Sequence, residues 1–211
     1  MQWIMKCSKC DATFNVDVGI SSIFKRGNHS AIKTPCPHCG NASFNRMYPK
    51  LLYAYLGQDD PRKSTMKKLE RFDMVTKVPV TKASRTLSLT PYADFYLLPS
   101  DRGLALKTWL LLIDGSWNRI TSIENLRLRY PRKLPLLVPV NPVNFGKPGK
   151  LSSVEAMAAA LYIMEFQGEA EAVLSKFNWG ENFIKMNIQP LEEYLKCKSQ
   201  EEVPAAEGLF F

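Results

Sequence analysis

The stretch Leu104-Ala105-Leu106-Lys107-Thr108-Trp109-Leu110-Leu111-Leu112-Ile113-Asp114-Gly115-Ser116-Trp117 decides the reading of the fold. Its body is an almost continuous apolar run, as expected of a parallel strand covered on both faces, and Asp114-Gly115 turns it into a loop. Outward from it, Tyr48 to Leu56 predicts another strand, stopped by Gly57 and Asp59-Asp60-Pro61. Ser64-Thr65-Met66-Lys67-Lys68-Leu69 opens a short helix with Ser64 or Thr65 as its cap. Ala83 to Leu89 predicts a short strand ended by Pro91, and Leu134 to Val140 one more, followed by the loop Asn141-Pro142-Val143-Asn144-Phe145-Gly146. The strongest helical pattern runs from Ser152 to Gln167, with Ser152 or Ser153 as cap and Glu155 close behind. Helices are expected over 169–176, 180–187 and 191–196, and a frayed acidic tail after Ser199. Strands alternating with helices imply an α/β fold with a mostly parallel sheet.

Ahead of this domain, Cys7-Ser-Lys-Cys10 and Cys36-Pro-His-Cys39-Gly40 form two tight Cys pairs in a C-x2-C-x25-C-x2-C spacing. Each pair points two thiolates at one centre, with turn N–H groups free to donate to sulfur. Strand-like stretches at Thr13 to Val18 and Ala42 to Met47 complete a zinc-ribbon pattern. Its metal supplies folding energy that so short a segment cannot draw from its own core. Iron is the rival metal, since a Cys-Pro-x-Cys-Gly knuckle suits both. The only two histidines, His29 and His38, fall in this region and read as loop residues. Cys197 reads as an unremarkable thiol. The chain divides into a ribbon (1–47), a main domain (48–200) and a flexible acidic tail (201–211).

The 211 residues carry 28 basic and 20 acidic side chains, a net charge of +8, distributed unevenly. Residues 1–48 hold 6 basic and 2 acidic groups, residues 49–150 hold 18 and 8, and residues 151–211 hold 4 and 10. A positive front and an acidic end suggest a polyanionic partner for the front. No apolar run approaches the roughly 20 residues that span a bilayer. Lys6 and Lys9 lie inside the Cys motif rather than ahead of an apolar segment, so no signal peptide is expected and a cytoplasmic protein is. Gly-rich phosphate loops and the Gly-x-Ser-x-Gly elbow are missing from the sequence, and without histidine in the main domain a Ser–His–Asp mechanism is excluded there. Chemistry must come from carboxylates, backbone groups or an already activated cofactor. In a parallel sheet it belongs at the carboxyl ends of the strands, near Asp59 to Thr65, Asp114 to Trp117 and Asn141 to Gly149. Arg132, Lys133 and Lys150 flank these ends, where the phosphates of a polyanion would be met, and Lys25, Arg26 and Lys33 offer the ribbon a similar contact.

Several of these segments, taken in order, resemble one family. They are Asp59-Asp60-Pro61-Arg62-Lys63-Ser64-Thr65, Leu111-Leu112-Ile113-Asp114-Gly115-Ser116-Trp117, Leu134-Pro135-Leu136-Leu137, Asn141 to Pro148, Lys150-Leu151-Ser152-Ser153-Val154-Glu155-Ala156 and Lys176-Phe177-Asn178-Trp179-Gly180. The resemblance, over about residues 50–196, is to the small-subunit rRNA aminocarboxypropyltransferases, which have a SPOUT-like knotted α/β fold. It implies an S-adenosylmethionine-dependent transfer of the 3-amino-3-carboxypropyl group to N3 of an N1-methylpseudouridine in small-subunit rRNA or a pre-ribosomal particle. The resemblance places Trp117 at an apolar wall that buries the methyl group, with Leu89 and Pro91 over the adenine. Asp114 would bind the amino-acid arm or help deprotonate N3, and Thr65 would bind the carboxylate. Ile113, Leu134 and Gly149 would contact the cofactor through backbone, with Leu151, Ser153 and Ala156 on the far wall. A monomer without membrane contact is expected. The chain departs from the pattern at Ser64-Thr65-Met66, where the family usually has Cys-Thr-Gly, at Gly115, at Glu181, and in carrying the ribbon. A SPOUT-type methyltransferase and a non-catalytic RNA-binding assembly factor are the alternative readings.

Overall fold

The computed structural model describes residues 2–7, 9–17, 35–41, 44–45, 48–57, 64–115 and 127–211. Trp117, Ser116, His29, the ribbon cations Lys25, Arg26 and Lys33, and the 58–63 stretch all lie outside the described residues.

Near the N-terminus, β1 (Gln2–Cys7) pairs antiparallel with both β2 (Thr13–Asp17) and β3 (Phe44–Asn45) in a three-stranded sheet. The second sheet has the order β5-β4-β7-β6-β8, from β4 (Leu51–Tyr55), β5 (Thr76–Lys77), β6 (Leu87–Leu89), β7 (Leu110–Asp114) and β8 (Tyr130–Arg132). All four of its pairings are parallel. Register sets Tyr55 opposite Asp114 and Leu89 opposite both Leu112 and Arg132, so the carboxyl ends of the central strands finish side by side. Strand β7 is buried along its whole length, because alternate residues serve two cores. Leu110 and Leu112 face the large core under the helices, and Leu111 and Ile113 face a smaller one with Leu52, Ala54 and Ala83. That is why its sequence is apolar without alternation.

Among the described residues the α-helices are α1 (Thr65–Arg71), α2 (Arg102–Thr108), α3 (Ser153–Ile163), α4 (Gln167–Leu174), α5 (Glu181–Lys196) and α6 (Glu202–Glu207). Ser64 caps α1 by accepting from Lys67 N at 3.2 Å. Ser152 and Glu155 form a capping box on α3. Gly180 opens α5 where a Cβ would stand 2.1 Å from the Leu174 carbonyl oxygen, so no larger residue fits that turn.

Several expectations change. The apolar run from Leu104 is not one strand: its first half is helix α2, and Trp109 breaks the run at φ 70°, ψ 167°. That region is essentially reserved for glycine, and holding a bulky residue there costs on the order of 1–3 kcal/mol. The conformation is pinned by Trp109 N donating to Ala105 O and Leu87 N donating to Trp109 O. The expected helices at 180–187 and 191–196 are one helix, α5, which runs through Pro190. The acidic end does not hang free, since α6 buries Val203 and Ala206 and Glu207 reaches back into the domain.

The segment from Leu134 to Val140 is not a strand and has no partner strand among the described residues. Side chains take the place of one. Leu136 N donates to Glu207 Oε1, Val138 N to Asn187 Oδ1 and Val140 N to Glu155 Oε1, each at 2.7 Å. The carbonyls of Leu136 and Val138 receive Tyr194 Oη and Asn187 Nδ2, both at 2.8 Å. Those of Leu137 and Pro139 receive the backbone N–H groups of Gly149 and Gly146. Pro135 and Pro139 have no N–H to satisfy. Three helices thus hold this segment as a neighbouring strand would, with every one of these polar groups matched.

Candidate functional site

Beyond the carboxyl ends of β6 and β7 lies a pocket enclosing about 280 Å³. Its walls come from Leu89 and Pro91 after β6, Leu112, Ile113 and Gly115 at the end of β7, and Lys133 to Leu136 after β8. The opposite wall is Gly149, Leu151, Ser153 and Ala156, at and before the start of α3. The lining is aliphatic side chain and backbone, with glycine at two positions where chain and ligand can approach closely. Gly149 stands at φ 77°, and its N–H bonds Leu137 O, which folds the far wall over the 134–140 segment.

At one end the pocket turns polar. Asp114 is buried, and its carboxylate receives Ser64 Oγ on Oδ2 at 2.7 Å and Ser153 Oγ on Oδ1 at 2.5 Å. Ser64 is the cap of α1 and Ser153 the first residue of α3, so one carboxylate ties two helix starts together. Thr65 joins the same knot by accepting from Val154 N at 3.1 Å, which satisfies a first-turn donor of α3. Two helix N-termini converge here, and their partial positive charge favours an anionic group.

Behind the far wall stands Glu155, fully buried in the core. Its Oε1 accepts from Val140 N and Asn141 N at 2.7 and 2.9 Å. Its Oε2 accepts from Asn141 Nδ2, Ser152 N and Ser152 Oγ, each at 2.7 Å. Asn141 in turn receives Val143 N and Asn144 N, so a single carboxylate fixes both ends of the 140–152 loop. Tyr194 supports the wall through Leu136; burial first, then the charge of Glu207, pushes its phenol well up, which keeps it a donor.

Eight of the sequence-derived cofactor positions line this pocket together: Leu89, Pro91, Ile113, Leu134, Gly149, Leu151, Ser153 and Ala156. Thr65 and Asp114 are not in its lining and reach it through the knot with Ser153 and Val154. Trp117 lies outside the described residues. Sequence reasoning missed Ser64 as a partner of Asp114, and Thr90, Pro135 and Leu136 as lining. Of the three basic residues expected at RNA phosphates, Arg132 is engaged internally. Its Nε and Nη2 donate to the two oxygens of Asp101, both at 2.9 Å, and Nη1 donates to Pro131 O. Lys133 borders the pocket with its ammonium 4.4 Å from the Tyr96 ring centre, and Lys150 is exposed on the far-wall loop.

The residues from 87 to 211 match the family described as Ribosome biogenesis protein, C-terminal. The 16S rRNA aminocarboxypropyltransferase of Thermoplasma volcanium is 50% identical over 161 residues, covering 76% of this chain and 98% of that protein. The chain belongs to this family. The enzyme of the same name from Methanosarcina mazei is 39% identical over 173 residues, covering 77% of this chain and 95% of that protein. The solved structure of the SAM-dependent rRNA:acp-transferase of Vulcanisaeta distributa superposes with a TM-score of 0.70 at 42% identity, over 77% of this chain and 89% of that one. Family membership accounts for the order in which the motifs occur, and the parallel sheet with its strand-end pocket is the fold of an aminocarboxypropyltransferase.

The four-Cys group is also assembled. The sulfurs of Cys7, Cys10, Cys36 and Cys39 all lie within 4.8 Å of one another. Cys7 and Cys39 are 3.6 Å apart and Cys10 and Cys36 3.7 Å. A tetrahedron with Zn–S bonds of about 2.3 Å has edges of about 3.8 Å, so the geometry and the thiolate donors fit zinc. At Cys7, burial acts upward on the thiol but is outweighed by the N–H groups of Cys10 and Lys9 and by Asn41, which draw it down to about 6. Removing the metal is expected to release one zinc per chain and to expose the β1–β2 amides to solvent exchange, while those of β4 and β7 stay protected. Hydrogen exchange before and after treatment with a thiol reagent measures this. Protection of β1 that survives metal loss would show the site is not structural.

Proposed function

We propose that this chain transfers the 3-amino-3-carboxypropyl group of S-adenosylmethionine to N3 of an N1-methylpseudouridine in small-subunit rRNA, acting in the cytoplasm as a monomer. The observation that carries the reading is the convergence of eight family-pattern positions on one strand-end pocket, beside a polar knot at two helix starts. Bound S-adenosylmethionine brings a sulfonium with three electrophilic carbons, and the product depends on which of them faces the nucleophile.

This chain's residues would make that choice by shape. Leu89 and Pro91 would cover the adenine. Ile113, Leu134 and Gly149 would contact the cofactor through backbone, while Leu151, Ser153 and Ala156 would close the far side. Thr65, at the start of α1, holds the carboxylate end of the amino-acid arm. Asp114 accepts the hydroxyls of Ser64 and Ser153 and would so fix where their oxygens sit beside that arm. Trp117 would wall off the methyl group, which would leave the aminocarboxypropyl carbon to meet the base. Lys133 and Lys150 meet the phosphates that flank the target.

The test uses S-adenosylmethionine labelled in the carboxypropyl carbons and small-subunit rRNA from a strain lacking this gene, with and without prior N1 methylation. Label is expected to enter the methylated rRNA with methylthioadenosine as by-product, and Trp117→Ala is expected to abolish entry. Label that stays out while a methyl label enters, with S-adenosylhomocysteine released, would make the protein a methyltransferase. Cofactor binding without transfer to either rRNA would make it an assembly factor.

A further inference from the structure

Trp109 stands at the opposite end of the sheet from the pocket. It precedes β7, its carbonyl receives Leu87 N, and Leu110 N donates to Lys50 O, so three chain segments meet at this edge. They are residues 48–50, 80–86 and 102–109, which contain Lys50, Lys82, Arg85, Arg102, Lys107 and no Asp or Glu. Arg102 is turned away, bonded to the carbonyls of Met164 and Glu165. The other four cations have no carboxylate partner among the described ion pairs. Two of them approach the indole: Lys50 Nζ is 5.4 Å and Lys82 Nζ 5.1 Å from its ring centre. The ring is 37% exposed, on a backbone conformation that glycine would adopt without strain.

Burial alone does not account for this arrangement, since more than a third of the residue remains open to solvent, and ion pairing does not explain the lysines. A strained aromatic residue approached by two lysines, with two further cations and no acidic group on the segments that form the edge, has the chemistry of a site for single-stranded nucleic acid. The phosphates meet the cations, and an unstacked base lies on the indole in place of a lysine ammonium.

We propose that Trp109, with Lys50, Lys82, Arg85 and Lys107, is a second rRNA contact, separate from the transferase pocket. It rests on the reading that rRNA is the substrate. The five residues of β7 span roughly 16 Å between Trp109 and the pocket floor, so a single rRNA element can touch both ends of the sheet. Contact at the far end would orient the substrate without touching the reacting atoms.

The test compares the full chain with Lys82→Gln/Arg85→Gln and with Trp109→Leu, measuring small-subunit rRNA affinity from low to high salt and S-adenosylmethionine affinity by calorimetry. The charge variant is expected to lower the slope of log affinity against log salt by roughly 1.5, with cofactor affinity unchanged. Trp109→Leu is expected to weaken rRNA binding about tenfold or more at fixed salt, and rRNA is expected to quench indole fluorescence in the parent but less in this variant. An unchanged slope and affinity in the charge variant, whose substitutions lie outside the buried core, would overturn the inference and assign the edge to an acidic protein partner. A parent that binds rRNA through this edge but transfers no label would sink the transferase reading alone.

Discussion

Glu155→Ala is expected to lower the unfolding free energy by about 3–5 kcal/mol, the cost of taking one partner out of a buried charged network. The carboxylate has five donors and is fully shielded from water. Truncation leaves the N–H groups of Val140, Asn141 and Ser152 and the Asn141 amide facing a void. At 2–4 °C per kcal/mol for a chain of this size, the melting temperature falls by roughly 10 °C. Glu155→Gln separates acceptor capacity from volume. Whichever way the new amide turns, its NH2 group meets at least two donors that the carboxylate oxygen had accepted, so Gln is expected to fall within about 1 kcal/mol of Ala. Urea unfolding with an unchanged m-value is the measurement. A Gln variant as stable as the parent would mean that the five hydrogen bonds do not hold the loop. Because the loop carries Gly149 and Leu151 into the pocket, cofactor affinity should fall with stability in both variants, although neither substitution touches the pocket.

Glu155 was legible from the sequence as a capping residue, through the Ser-x-x-Glu pattern at a helix start. Its larger role was not, because the donors Val140 and Asn141 lie fifteen and fourteen residues upstream and no local rule connects them. The same limit explains the segment from Leu134 to Val140. Periodicity reports which residues are buried, and those are buried as a strand's would be. It does not report whether the backbone partner is a strand or the side chains of Glu207, Asn187 and Glu155. Strand β7 was legible because burial on both faces leaves an unbroken apolar run, yet the same criterion swept in α2, whose Leu104 and Leu106 also pack on the core. The break falls at Trp109, where glycine would have marked it. The end of the chain misled in the opposite direction. Its acidic composition suggested solvent, while Glu207 is a buried-side acceptor for Leu136 and Tyr96. The site was read from motif order rather than geometry, and this is why Ser64, a departure from the family pattern, was not recognised as the partner of Asp114.

That partnership bears on the chemistry. A catalytic base must present an oxygen to the proton it removes, and here each oxygen of Asp114 already receives a serine hydroxyl. Ser64 is held at both ends, donating to Asp114 and accepting from Lys67 N. The arrangement is that of a clamp between α1 and α3, with Asp114 setting the direction of the two hydroxyls at the polar end of the pocket. Asp114→Ala is then expected to reduce kcat/KM for S-adenosylmethionine by roughly a hundredfold, since two hydroxyls lose their acceptor and both helix starts loosen. Asp114→Asn keeps one carbonyl acceptor for one serine and lets the other accept from the new amide. Its loss should be about tenfold, carried by KM. The shape of the single-turnover pH profile between pH 5 and 9 should be the same in parent and Asn variant, because the residue exchanges no proton with the substrate. A base would behave differently. Its removal typically costs 10²–10⁴ in rate, the loss appears in kcat, and the limb of the profile that rises with pH disappears. An Asn variant as damaged as the Ala variant, with that limb gone, would make Asp114 the group that deprotonates N3. The double variant Ser64→Ala/Ser153→Ala completes the test: a clamp predicts that it matches Asp114→Ala in affinity loss, whereas a base freed of both serines would keep kcat.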